Sequence, residues 1–122
     1  MSKIIYPHSL GTLLQEFFSK RLVDQRDSSP ATIASYRDAF CLLLRYARDR
    51  LGKQPVDLML TDLDVPLILG FLEYLERDRN NSVRTRNARF AAIRSFLKYT
   101  SVKVPTTLPS IQRAVAATVF MA

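Results

Sequence analysis

One cysteine, one histidine and three glycines are all that this sequence holds of the residues on which many compact chemical sites are built, and it has no tryptophan. The lone Cys41 excludes a disulfide scaffold and points to a reducing compartment. Set between Phe40 and Leu42-Leu43, it reads as a small core residue rather than a reactive thiol. His8 has no second histidine and no cysteine at ligand spacing, so neither a metal site nor a cofactor is expected. Glycines at 11, 52 and 70 stand too far apart to form a phosphate-cradling loop. No apolar run approaches the ~18 residues of a membrane span, and Met1-Ser2-Lys3-Ile4-Ile5 is too short for a secretion signal. Asp62 and Asp64 sit at a helix start, where capping accounts for them, and Glu73 and Glu76 read as a solvated pair. With no positioned base beside any Ser or Tyr, no catalytic residue is assigned and no complete enzyme is expected in this chain.

The most informative absence is that of acid. Residues 82–122 contain seven Lys/Arg and no Asp or Glu, whereas residues 1–81 contain eleven of each sign. The whole net charge of +7 therefore sits in the last third. A solvated helix surface normally mixes signs, because opposite charges one turn apart help both stability and solubility. A run of bases without acids calls for a polyanionic partner.

Apolar spacing predicts an all-α fold. A first helix runs from about Ser9 to Val23, with Leu10, Leu13, Leu14, Phe17 and Phe18 on one stripe. A second opens at Ser29-Pro30, an N-cap followed by a proline at the first helical position, and ends at Gly52. Its core side is Ile33, Tyr36, Phe40, Leu43, Leu44 and Ala47. Asp62 or Asp64 caps a third, with Leu67, Leu69, Phe71, Leu72 and Leu75 buried and a mixed-sign solvated end from Glu73 to Arg79. After an Asn80-Asn81-Ser82 turn, a fourth runs from about Val83 to Thr100. Val104 to Pro109 is a linker, and a short last helix covers Ile111 to Phe120. Two helical hairpins give a four-helix bundle with a C-terminal appendage.

On a wheel of about 100° per residue with Arg84 at zero, Phe90, Ile93 and Leu97 put the core of the fourth helix near 210°, with Phe96 at its edge. Arg84, Ala88, Ala91, Ala92 and Ser95 face outward, flanked by Thr85, Asn87, Arg89, Arg94 and Lys98. Small residues in the middle let the helix approach another body closely. Long bases at the margins reach phosphates on both walls of a groove, and Thr, Asn and Arg near the N-terminus reach base edges. Arg86 falls at the core azimuth and caps or snorkels instead. This pattern favours double-stranded DNA over two plainer readings, a basic helix without a partner and an Ala-lined packing face.

Two runs resemble the core-binding domain of the tyrosine recombinases, the phage-integrase family. One is Ser29-Pro30-Ala31-Thr32-Ile33-Ala34-Ser35-Tyr36-Arg37-Asp38-Ala39-Phe40. The other is Arg89-Phe90-Ala91-Ala92-Ile93-Arg94-Ser95-Phe96-Leu97-Lys98-Tyr99, and between them Leu72-Glu73-Tyr74-Leu75 is similar to the family's third-helix ending. The likeness spans about residues 9 to 105 and is closest to bacterial mobile-element integrases. It implies a SAM-like bundle that closes over one face of duplex DNA, in a cytoplasmic protein associated with the nucleoid when bound. It also implies DNA-facing roles for Thr32 and Ser35 on the second helix, and for Arg84, Thr85, Ala88 and Arg89 on the fourth. Tyr36 is open between core and DNA, and Arg37 between a phosphate contact and a pair with an aspartate.

In that family a separate C-terminal domain carries a tyrosine nucleophile. None of Tyr6, Tyr36, Tyr46, Tyr74 or Tyr99 matches its motif. The resemblance thus implies a recombination and integration module, residues 1–105, that positions DNA without cutting it. Residues 106–122 would be a linker and helix leading to an absent catalytic domain. That last helix either folds onto its own bundle or docks on a neighbouring subunit, giving a homo-oligomer on DNA. The alternative function is a stand-alone protein-interaction or transcription-regulator domain.

Overall fold

The computed structural model describes residues 9–25 and 28–104. Helix α1 (Leu10–Glu16) continues into a π-helical segment, Phe17–Gln25. It is followed by α2 (Pro30–Leu51), two 3-10 turns (Pro55–Asp57 and Leu60–Asp62), α3 (Val65–Arg77) and α4 (Val83–Lys103). The only extended pairing among the described residues is one antiparallel bridge, Ser9 with Met59. The fold is an all-α bundle of four helices. No described helix is long and apolar enough to cross a membrane. His8 and the expected helix 111–120 lie outside the described residues, as does the expected linker beyond Val104.

Three helices begin with the same device. Ser9, Ser29 and Ser82 are extended N-caps whose hydroxyl oxygens accept from the backbone N–H of Thr12, Thr32 and Thr85. In each, the Ser hydroxyl donates to the Thr hydroxyl. A cap of this kind contributes ~1 kcal/mol. Asp64, rather than Asp62, caps α3 by accepting from Leu67 N–H at 3.0 Å. The Asp62 carboxylate accepts instead from Met59 N–H and from Lys53 Nζ. Gly52 ends α2 at φ 67°, the left-handed conformation that glycine adopts without strain.

The π segment departs from the single α-helix that the 3.6-residue stripe predicts. Phe17 and Leu22 are both fully buried, five residues apart. An α-helix would point them in quite different directions, whereas a register of i to i+5 stacks them. Phe17 is the hub of the core. Its ring meets Phe18, Tyr36, Phe40, Phe96 and Tyr99 at centroid distances between 5.5 and 6.4 Å, mostly edge-on. These rings tie the π segment to α2 and α4, the two helices that pack most extensively on each other. Tyr46, Phe71 and Tyr74 join α2 to α3 in a second group. Edge and offset contacts of this type add ~1 kcal/mol each to the area they bury.

Three sequence expectations are corrected. The core side of α4 is centred on Ala92, Ile93, Phe96 and Leu97, so it is turned by roughly 60° from the wheel's assignment. Phe96 and Tyr99 are drawn in by the Phe17 cluster, Ala92 is buried rather than outward, and Phe90 is left partly exposed. Cys41 is exposed, because α2 turns its inner face through Phe40, Leu43 and Ala47 and leaves Cys41 outside. Glu76 is no solvated half of a pair with Glu73. It accepts from Arg86 at 2.8 Å, and Arg86 is 5% exposed. Arg86 thus sits on the core side, its guanidinium held by Glu76 and by Asn87 Oδ1.

Candidate nucleic-acid interface

Six bases lie on α4: Arg84, Arg86, Arg89, Arg94, Lys98 and Lys103. Arg86 alone has an acid partner among the described residues. The other five border two clefts that follow each other along one face of the helix.

The first cleft, about 240 Å³, lies where the start of α2 crosses the first half of α4. Ser35 and Asp38 from α2 face Arg84, Thr85, Ala88 and Arg89 from α4. Five of the sequence-predicted positions are therefore brought together here, from segments some 50 residues apart. Ala88 keeps the floor low. Arg89 is half-buried, and its Nε is buried without a hydrogen-bond partner. Sequence reasoning gave no DNA role to Asp38, since only the crossing of α2 over α4 shows what it faces. The cleft offers several donors and one anionic acceptor.

The second cleft, about 640 Å³, lies between the π segment, Tyr36 of α2 and the second half of α4. Arg21, Arg94, Lys98 and Lys103 line it, together with Ser95 and Tyr99 and with no acid among its lining residues. The Arg94 guanidinium lies 5.5 Å over the Phe90 ring, and Lys103 Nζ lies 5.9 Å from the Tyr99 ring centre. Tyr36 resolves its two open roles by filling both. Its ring stacks nearly parallel on Phe17 while it also lines the basic cleft. Burial, chiefly, pushes the Tyr99 phenol above its usual value of 10, and the nearby Glu16 carboxylate adds to this while Arg21 opposes it. Glu16 and the phenol do not reach good hydrogen-bond geometry, so the hydroxyl stays unpartnered.

The remaining predicted positions stand outside both clefts. Thr32 is exposed at the start of α2 and engaged in the Ser29 cap. Arg37 is exposed and makes no ion pair among the described residues, so the aspartate pairing is not formed. Asn87 is exposed, with its carbonyl oxygen accepting from Arg86. No group of three or more metal-ligand side chains occurs among the described residues.

This helical frame and its basic face have close sequence relatives. Residues 13–102 match the model of the phage integrase SAM-like domain. A protein of Sinorhizobium fredii named "Putative integrase/recombinase y4rD" is 49% identical over 104 residues, covering 85% of this chain and 37% of the relative. A second from the same organism, "Putative integrase/recombinase y4rC", is 47% identical over 108 residues, covering 88% of this chain and 32% of the relative. The chain thus spans about a third of the length of these relatives. No solved structure matches it. The family model covers well over half of the residues, and the chain belongs to the phage integrase SAM-like domain family.

Proposed function

We propose that this chain binds double-stranded DNA, with α4 laid into the major groove and the start of α2 beside it. The observation that carries the reading is the set of five bases on α4 that have no acid partner among the described residues and border two clefts on one face. Like charges held together on a helix destabilise it by a few tenths of a kcal/mol per close pair. A polyanion turns that cost into attraction and releases condensed counterions as it binds.

The mixed cleft suits base edges. The major groove presents both acceptors and donors, and it admits one α-helix. Arg84 and Arg89 supply paired donors of the kind that guanine accepts, Ser35 and Thr85 donate or accept, and Asp38 accepts from an exocyclic amine. Within a longer protein of its relatives' kind, the domain holds and positions the duplex in recombination, and strand cleavage belongs to residues outside the matched third. No side chain described here is given a catalytic role.

Binding of a labelled duplex, followed by fluorescence anisotropy across a salt series, tests this. The variant Arg84→Ala/Arg89→Ala/Arg94→Ala is expected to bind at least tenfold more weakly. Its slope of log affinity against log salt should be shallower by about 2 to 3, close to one unit per lost phosphate contact. Unchanged affinity in a variant with an unchanged helical spectrum would overturn the reading. So would a wild type that forms a salt-insensitive oligomer and has no affinity for DNA.

A further inference from the structure

We infer that the acid-free cleft between the π segment and the second half of α4 is a phosphodiester-binding site that anchors one strand of the duplex, leaving base recognition to the mixed cleft. This rests on the duplex reading above and divides its labour between two places.

The chemistry of the two clefts differs in kind. The mixed cleft includes Asp38, an acceptor that would repel a phosphate. The larger cleft gathers Arg21, Arg94, Lys98 and Lys103 without any acid among its lining residues. A ring of charged donors meets all the demands of a phosphate oxygen, through short charge-assisted hydrogen bonds. It has no anionic acceptor with which to tell one base from another.

The bases are also held in place. Arg94 rests over Phe90 and Lys103 over Tyr99, so two long side chains are partly ordered before any ligand arrives. The π segment contributes Arg21 from outside α4, against a wall made by Tyr36, which is itself stacked on Phe17.

Spacing supports the same division. The α4 residues of the mixed cleft centre near residue 87 and those of the basic cleft near 97. At 1.5 Å per residue, the centres are about 15 Å apart along the axis. The major groove is about 12 Å wide. A helix crossing it with the mixed cleft over base edges carries the basic cleft out to the phosphate wall.

The test compares two variants of the full chain. Lys98→Gln/Lys103→Gln removes charge from the basic cleft, and Ser35→Ala/Thr85→Ala removes neutral hydroxyls from the mixed one. Each is measured by salt-dependent anisotropy on a fixed duplex and by selection from duplexes with a randomised centre. The first is expected to flatten the salt slope by about 2 while leaving the selected bases unchanged. The second is expected to change the selected bases and leave the slope alone. A Lys98→Gln/Lys103→Gln chain with the wild-type slope, or with altered base preference, would overturn the inference while the duplex reading stands. A wild type that binds no duplex would remove both.

Discussion

On α3 each of the three charged side chains has a partner. Arg77 pairs with Glu73 one turn away at 2.9 Å, and Glu76 reaches across to Arg86. On α4, packed beside it, five of six bases have no acid partner among the described residues. The same residue types thus do two different things in neighbouring helices. Charge that is settled inside the chain serves the fold, and charge left unsettled on one face is available to something outside it. Arg86 marks the border, for it belongs to α4 by sequence and to the fold by its partners.

The largest effect that would sharpen this contrast is expected at Glu76. Glu76→Ala leaves the Arg86 guanidinium buried without its carboxylate and should lower stability by about 3 kcal/mol, towards the low end of the range for a broken buried pair because Glu76 is partly solvated. Urea unfolding measures it, and a loss below ~1 kcal/mol would move Arg86 to the solvated side of the comparison. A somewhat smaller effect is expected at Gly70, where a Cβ would collide with the Tyr46 hydroxyl. Gly70→Ala should cost about 2 kcal/mol by overpacking, and adding Tyr46→Phe should recover most of it. Failure of that rescue would show that α3 is seated against α2 by some other contact. The smallest effect is expected from Arg77→Ala, an exposed one-turn pair, at about 0.3 kcal/mol. A large loss there would erase the distinction between buried and surface charge.

Local chemistry made much of this fold readable in the sequence. Ser29-Pro30, Gly52 and the Asn80-Asn81-Ser82 turn sit where caps and turns require them, since each acts on its own backbone within a few residues. The buried side of α4 was less readable. Its rotation depends on Phe96 and Tyr99 joining Phe17, and Phe17 is set by a π register that a 3.6-residue pattern does not encode. Cys41 illustrates the same limit, because apolar neighbours along the chain say little about which way one helical position points. In the candidate site, charge asymmetry located the basic face of α4. Ser35 joined it by resemblance, whereas the placing of Asp38, Arg21 and Tyr36 beside it needed the crossing of α2 over α4.

The central claim is that the unsettled charge of α4 is meant for a duplex, and the wild-type chain tests it alone. Its affinity for duplex DNA, measured from low to moderate salt, should fall with a slope of about −4 to −5 on logarithmic axes, as five phosphate-contacting bases would give. Affinity that is absent, or that does not change with salt, would contradict it.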